Sequence, residues 1–419
     1  MLWLMLLKRP LSPHIDADRP RFGWAEQPNF APCFTLKDRC SVFIVLVLLL
    51  ALVAGLASVT LLLGAIYALW AWYMGELIAV AWIAAAGAAL LWSLLGRHIV
   101  LLFHRKGTDD PQRHGSGEYL PGVHGTILHV ETEGPVGAPM LVFTHGWGFD
   151  ASAWYHIRRR LRTDFRLFLW DLPGLGASTS FSDGVYEIER FAESLHLLTQ
   201  RADGPVVLVG HSIGGMTMLT FCRRYPALLG SKVKGLVFVD TTFTTPVRTT
   251  VGPGVLPGLQ KPVAKAFLHF NRLLWPIVWW MNWQSYFNGT SHLITRLTSF
   301  SRDVTRGELN FASRFTATQH PAVVAKGILA TLDWDESRTL EGISVPTTII
   351  VGKEDRLTVP EASRYMAKTV ADGRLNEITP AGHSGIVEEG DAYAAAIAAG
   401  ATRAFNVGGV SRNVRTVSR

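Results

Sequence analysis

Gly210-His211-Ser212-Ile213-Gly214-Gly215 follows the apolar run Val206 to Val209 and leads into a helix-like stretch, Met216 to Tyr225. This is G-x-S-x-G between strand and helix, the spacing that lifts one hydroxyl out of a sharp turn. The glycines have a steric reason: backbone segments approach closely in such a turn, and a Cβ at 210 or 214 would collide. A serine alcohol is a poor nucleophile at neutral pH, so Ser212 needs a base within hydrogen-bond reach, and the chemistry implied is attack on an acyl carbon. Other chemistries have less support. Cys33, Cys40 and Cys222 are three scattered thiols, which give neither a disulfide framework nor a metal-ligand cluster. The net charge of +7 is mild for 419 residues, and the cations form no recognisable nucleic-acid module, so no nucleic-acid partner is expected.

The elements that must hold such a turn can be read beyond residue 122. Short apolar, β-branched runs recur at Thr126 to Val130, Met140 to Thr144, Leu167 to Trp170, Val206 to Val209, Leu236 to Val239 and Thr347 to Val351. Helix-like segments such as Val185 to Thr199 separate them. Continuous apolar strands alternating with helices predict a parallel sheet covered on both faces, so the fold class is α/β.

The N-terminal part is of another kind. The chain is 48% hydrophobic and 17% charged, with mean hydropathy +0.21, whereas soluble domains carry roughly 25% charge. Cys40 to Gly75 contains no charged residue, and after Glu76 the run Leu77 to Gly96 is again uncharged. About 20 apolar residues span a bilayer, so each run can hold one crossing. A helical hairpin is expected, with its bend at Trp70 to Glu76. The apolar run starts too late and is too long for a cleaved signal peptide. Lys8, Arg9, Arg19, Arg21, Lys37 and Arg39 precede the hairpin, and Arg97, Arg105, Lys106 and Arg113 follow it. Positive-inside reasoning then puts both ends, and the large C-terminal domain, in the cytoplasm. The expected division is an N-terminal segment over 1–40, a transmembrane hairpin over 41–104, a linker over 105–121, an α/β domain over 122–405 and a basic tail over 406–419.

Several motifs in register make this sequence resemble the α/β-hydrolase superfamily from about Gly122 to Ala399. His145-Gly146-Trp147-Gly148 follows an apolar strand and looks like the superfamily's oxyanion loop. Asp171-Leu172-Pro173-Gly174-Leu175-Gly176 resembles the turn after the next strand. Gly352-Lys353-Glu354-Asp355 stands where the family bears its acid, and Ala381-Gly382-His383 where it bears its histidine. The resemblance implies a triad in the order Ser, Asp, His. His383 would take the Ser212 proton and return it to the leaving group, and Asp355 would fix the imidazole and stabilise its cation. The backbone N–H groups of Ile213 and Trp147 would hold the oxyanion. No metal or organic cofactor is required. Asp240, also at the C-terminal end of a strand, is a rival for the acid. His211 reads as a packing residue beside the elbow, His145 as a shaper of its loop, and Asp171 as a turn former. Dehalogenases and epoxide hydrolases of this fold carry aspartate in place of the serine, so Ser212 favours ester chemistry.

About a hundred residues separate the strand ending at Val239 from the one near Thr347, where the resemblance implies a cap, about 243–340. From Thr241 to Arg302 there is no acid but six cations. Pro262 to Trp275 reads as a helix stopped by Pro276, with Lys261, Lys265, His269 and Arg272 along one face and apolar residues over much of the rest. Such a helix suits an anionic membrane surface, or simply roofs the site. The expected function is a membrane-anchored serine hydrolase of lipophilic or lipid-like esters, with small-molecule or lipid esters and membrane lipids as its partners. An acyltransferase, thioesterase, carbon–carbon hydrolase, cofactor-free perhydrolase or catalytically silent scaffold on the same fold are the alternatives.

Overall fold

Eight strands form one sheet in the order β1-β2-β4-β3-β5-β6-β7-β8. They are β1 (Glu118–Pro121), β2 (Ile127–Glu133), β3 (Met140–Thr144), β4 (Arg166–Trp170), β5 (Val206–His211), β6 (Val233–Val239), β7 (Thr347–Gly352) and β8 (Gly373–Ile378). The computed structural model describes residues 43–77, 79–107, 117–246, 257–302 and 304–407. The expectations for the segment 1–40, the centre of the linker, Arg248 and the tail beyond 407 lie outside these residues.

β1 and β2 run antiparallel to their neighbours, and β4, β3 and β5 to β8 are mutually parallel. The reason lies in burial: every residue of β5 and β7 is buried, so both strands need apolar cover above and below. Val207, Val209, Val237, Val239 and Ile350 face a core shared with Trp154, Tyr393 and Ile397. Leu208, Leu236 and Phe238, which point the other way, are equally buried. Fully burying one such aliphatic side chain contributes about 1.5–3 kcal/mol. The fold is therefore the α/β architecture read from the sequence, with its parallel strands all ending at the edge where Ser212, Asp240 and Asp355 sit. β1 occupies the last residues of the expected linker, paired with β2 along Glu118↔Val130 to Pro121↔Ile127.

Ahead of the sheet stand two apolar helices, Phe43–Tyr73 and Val80–Leu102, both long and apolar enough to cross a membrane. The second runs on past the uncharged stretch that ends at Gly96. Arg97 lies within it with its guanidinium over the rings of Tyr286 and Phe287, at 4.9 Å and 5.3 Å, which accommodates the charge and lets the helix continue.

Among the described residues the cap between β6 and β7 holds five α-helices: Pro257–Leu273, Trp275–Phe287, Thr290–Ser299, Arg306–Thr318 and Pro321–Thr331. Pro262 lies inside the first helix rather than opening it. Pro276 belongs to the first turn of the second, where its missing N–H costs nothing, and the break falls at Leu274. Lys265 donates to Asp333 at 2.8 Å, while Ala264 and Leu268 on the same helix pack against Ala325 and Leu332.

Candidate active site

Ser212 sits between β5 and the helix Ile213–Arg224 with φ of +53°, a conformation that non-glycine residues seldom adopt. A Cβ on Gly210 would lie 2.6 Å from the backbone of Gly214, and one on Gly214 would lie 2.8 Å from the Thr144 carbonyl carbon at the end of β3. Both contacts are with backbone, which cannot swing aside. Gly214→Ala is therefore expected to destabilise the fold by about 1–3 kcal/mol, read as a lowered thermal midpoint in detergent; an unchanged midpoint would contradict this account of the turn.

His383 follows β8 and brings its Nε2 within 3.1 Å of Ser212 Oγ, while its Nδ1 lies 2.8 Å from Asp355 Oδ2. Asp355, in the loop after β7, is buried and heavily solvated by protein. Leu357 and Thr358 N–H donate to its Oδ1 at 2.7 Å and 2.9 Å, and the Thr358 hydroxyl donates to Oδ2 at 2.7 Å. Burial pushes its carboxyl upward, but the charge and hydrogen bond of His383, with the bonds from Thr358, outweigh that and hold it below the ordinary range.

Asp240 takes a different place. It follows β6 at φ +42°, with Gly352 N–H and the Tyr393 hydroxyl donating to Oδ1 at 2.8 Å and 3.0 Å. Its Oδ2 is buried without a partner among the described residues. Burial, and then the nearby Asp355 charge, push its carboxyl well above the ordinary range. Asp355, not Asp240, is the carboxylate against His383.

The two other histidines hold backbone. His211 Nε2 donates to the His383 carbonyl at 3.0 Å, and burial pushes the ring down to about 3, so it stays neutral. His145 donates from Nδ1 to the Gly146 carbonyl at 2.8 Å and accepts the Leu172 N–H on Nε2 at 2.9 Å, joining the two loops that flank the elbow. Asp171 likewise shapes its turn, accepting from Ala151 N–H at 2.7 Å and Ala177 N–H at 2.9 Å.

Ile213 opens its helix, where the first N–H groups have no carbonyl one turn back to bond. Trp147 is pinned from the cap: its indole donates to the Val324 carbonyl at 2.9 Å and its ring leans on Tyr186 and Phe191. Sequence reasoning missed two supports. Thr358 holds Asp355, and its signal was only a hydroxyl three residues past the acid. Glu388, buried, accepts from Gly382 N–H at 2.8 Å, Ser301 N–H at 2.9 Å and Arg302 N–H at 2.7 Å, tying the histidine loop to the cap. Nothing in the sequence distinguishes it from the adjacent Glu389.

A profile of the Alpha/beta hydrolase family matches residues 141–396. A pimeloyl-[acyl-carrier protein] methyl ester esterase of Yersinia enterocolitica is 35% identical over 130 residues, 30% of this chain and 47% of that protein. The chain thus spans about half the length of the first curated relatives it matches. One of the same name from Stenotrophomonas maltophilia is 27% identical over 277 residues, 64% of this chain and 95% of the relative. Among solved structures, a thermophilic esterase from Thermogutta terrifontis superposes with a TM-score of 0.56 at 23% identity, over 69% of this chain and 99% of its own, a likeness of fold. With the profile covering more than half of the chain and the strand order, elbow and loops arranged as above, this protein belongs to the alpha/beta hydrolase family.

Proposed function

We propose that the chain is a membrane-anchored serine hydrolase that cleaves carboxylic esters, lipophilic or lipid-like ones, through Ser212, His383 and Asp355. The single observation that carries the reading is the continuous line of contacts from Ser212 Oγ to His383 Nε2 at 3.1 Å and from His383 Nδ1 to Asp355 Oδ2 at 2.8 Å. Ser212 Oγ attacks the acyl carbon as its proton passes to His383 Nε2. The imidazolium is stabilised by Asp355 and then protonates the departing alcohol. Water, deprotonated by the same imidazole, releases the acid from the acyl-enzyme. Backbone N–H groups of Ile213 and Trp147 hold the oxyanion, and loss of one such donor costs roughly 3 kcal/mol of barrier.

Support for an ester comes from the names of the relatives, which are esterases of a methyl ester. Support for the membrane comes from the two apolar helices, and support for a cytoplasmic catalytic domain comes from the cations flanking the hairpin on both sides, with none in its bend. The test is labelling of the full chain by a fluorophosphonate probe, which forms a stable bond with an activated serine. Wild type is expected to label at Ser212 and His383→Ala to lose the label; an unlabelled wild type would reduce the domain to a silent scaffold.

A further inference from the structure

The cap and the apolar hairpin are packed together, and the depth of their contacts has a consequence for where the cap lies. The Gln284 side chain donates to the Ser93 carbonyl at 3.0 Å in a buried contact. A Cβ on Gly96 would lie 2.5 Å from the Asn288 carbonyl oxygen, and one on Gly55 would lie 2.7 Å from Met281 Cε. Small residues that let helices approach, with an amide bonding across, are the packing habit of helices inside membranes.

Span length sets the depth. About 20 residues at 1.5 Å per residue fill the hydrocarbon layer. Counted from the bend, that reaches from Val80 to about Ile99 on one helix and from Tyr73 back to about Ala54 on the other. Gly55, Ser93 and Gly96 all fall inside these limits. Met281, Gln284 and Asn288 touch them, so they lie at hydrocarbon depth as well. Arg97, near the limit, has its guanidinium stacked on Tyr286 and Phe287 of the cap.

We propose that the cap helices Trp275–Phe287 and Thr290–Ser299 are embedded in the leaflet beside the hairpin, with lipid acyl chains as the occupant of their outer face. The inference rests on the membrane reading of the hairpin. Trp275–Phe287 carries no charged residue, and Ile277, Leu293 and Leu297 on these helices are 52%, 49% and 58% exposed. This outer face continues the apolar surface of the hairpin, where Leu63 is 50% exposed. The embedded part is the tryptophan-rich helix and its successor, not the basic helix before them.

The placement bears on substrate entry. At its C-terminal end Thr290–Ser299 holds both loops that bear the site's acid and base: the Arg356 guanidinium donates to the Leu297 carbonyl at 3.1 Å, and Ser384 N–H donates to the Ser299 carbonyl at 2.9 Å. On this placement an ester dissolved in the leaflet would meet the cap beside these two loops.

The test uses the full chain in vesicles of phosphatidylethanolamine and phosphatidylglycerol, with its native cysteines replaced. Nitroxide labels are placed singly by Ile277→Cys, Leu293→Cys and Leu297→Cys, with Leu63→Cys as the hairpin reference and Val136→Cys, at a 91% exposed residue, as the water reference. Relaxation by oxygen reports hydrocarbon, and relaxation by a water-soluble nickel chelate reports water. Retained fluorophosphonate labelling certifies that each variant is folded. The expected result is that the three cap labels match Leu63, with a ratio of oxygen to nickel accessibility at least tenfold that at 136. Cap labels that match 136 while Leu63 stays in hydrocarbon overturn the embedded cap and leave the anchor standing. Cap labels reached by neither agent mark a protein contact and also overturn it. A Leu63 label in water overturns the anchor and the embedded cap together.

Discussion

Ser212→Ala is expected to lower kcat on an activated ester by about 10^4–10^6-fold with the fold retained, and His383→Ala by a similar factor. In the proposed mechanism Ser212 Oγ and His383 Nε2, 3.1 Å apart, are two ends of one proton transfer, so neither has a function without the other. The double variant Ser212→Ala/His383→Ala is therefore expected to lose no more than either single one, because groups that act as a unit are grossly non-additive. What remains in all three should be hydrolysis assisted by the oxyanion donors alone. Steady-state kinetics of the detergent-solubilised chain give all three values. If the two losses multiplied in the double variant, the serine and the imidazole would be acting independently, and the proposed mechanism would be wrong even if each single loss were large.

How far the sequence reaches is set by where each feature draws its stability. The central strands could be read because β5 and β7 are buried on both faces, which demands unbroken apolar runs. β1 and β8 carry a weaker signal: they are edge strands with no buried residue, and a neighbour's hydrogen bonds set the extent of Gly373–Ile378. Ser212, Asp355 and His383 could be named because each follows a strand's C-terminal end within a motif. What they rest on could not, because it is fixed by contacts between segments remote in sequence. Glu388 meets Ser301 across 87 residues, and His211 meets the His383 carbonyl across 172. The helix break at Leu274 was misplaced for a local reason. A proline reads as a stop, but at the second position of Trp275–Phe287 it is part of a start. The partners of Arg97 within the second apolar helix, Tyr286 and Phe287, stand almost two hundred residues later in the chain.

The second large effect separates the two buried acids at the ends of β6 and β7. Asp355→Asn is expected to lower kcat by about 10^4-fold, because an amide facing His383 Nδ1 favours the wrong tautomer and leaves the imidazolium uncompensated. Asp240→Asn is expected to change kcat at neutral pH by less than about tenfold. Burial and the Asp355 charge push the Asp240 carboxyl well above the ordinary range, which favours its neutral form, and Asn is the isostere of that form. Asn can accept from Gly352 N–H and the Tyr393 hydroxyl as Asp240 does, and it tolerates positive φ better than most residues. The two acids also have opposite signs in stability. Asp355, depressed in the fold, contributes stability that is present above the unfolded carboxyl value near 3.9 and is lost as pH falls through its lower folded value. Asp240, raised in the fold, is most favourable below that unfolded value and becomes a liability as pH rises toward its folded one. Asp240→Asn removes that liability, so the variant's stability relative to wild type should improve as pH is raised from 4 toward neutrality, while that of Asp355→Asn should worsen as pH is raised at lower values, up to about the unfolded value near 3.9. Thermal midpoints of the three proteins across pH, with kcat at neutral pH, check both halves. A tenfold or smaller loss in Asp355→Asn together with collapse of Asp240→Asn would exchange the two roles and make the residue at the end of β6 the working acid.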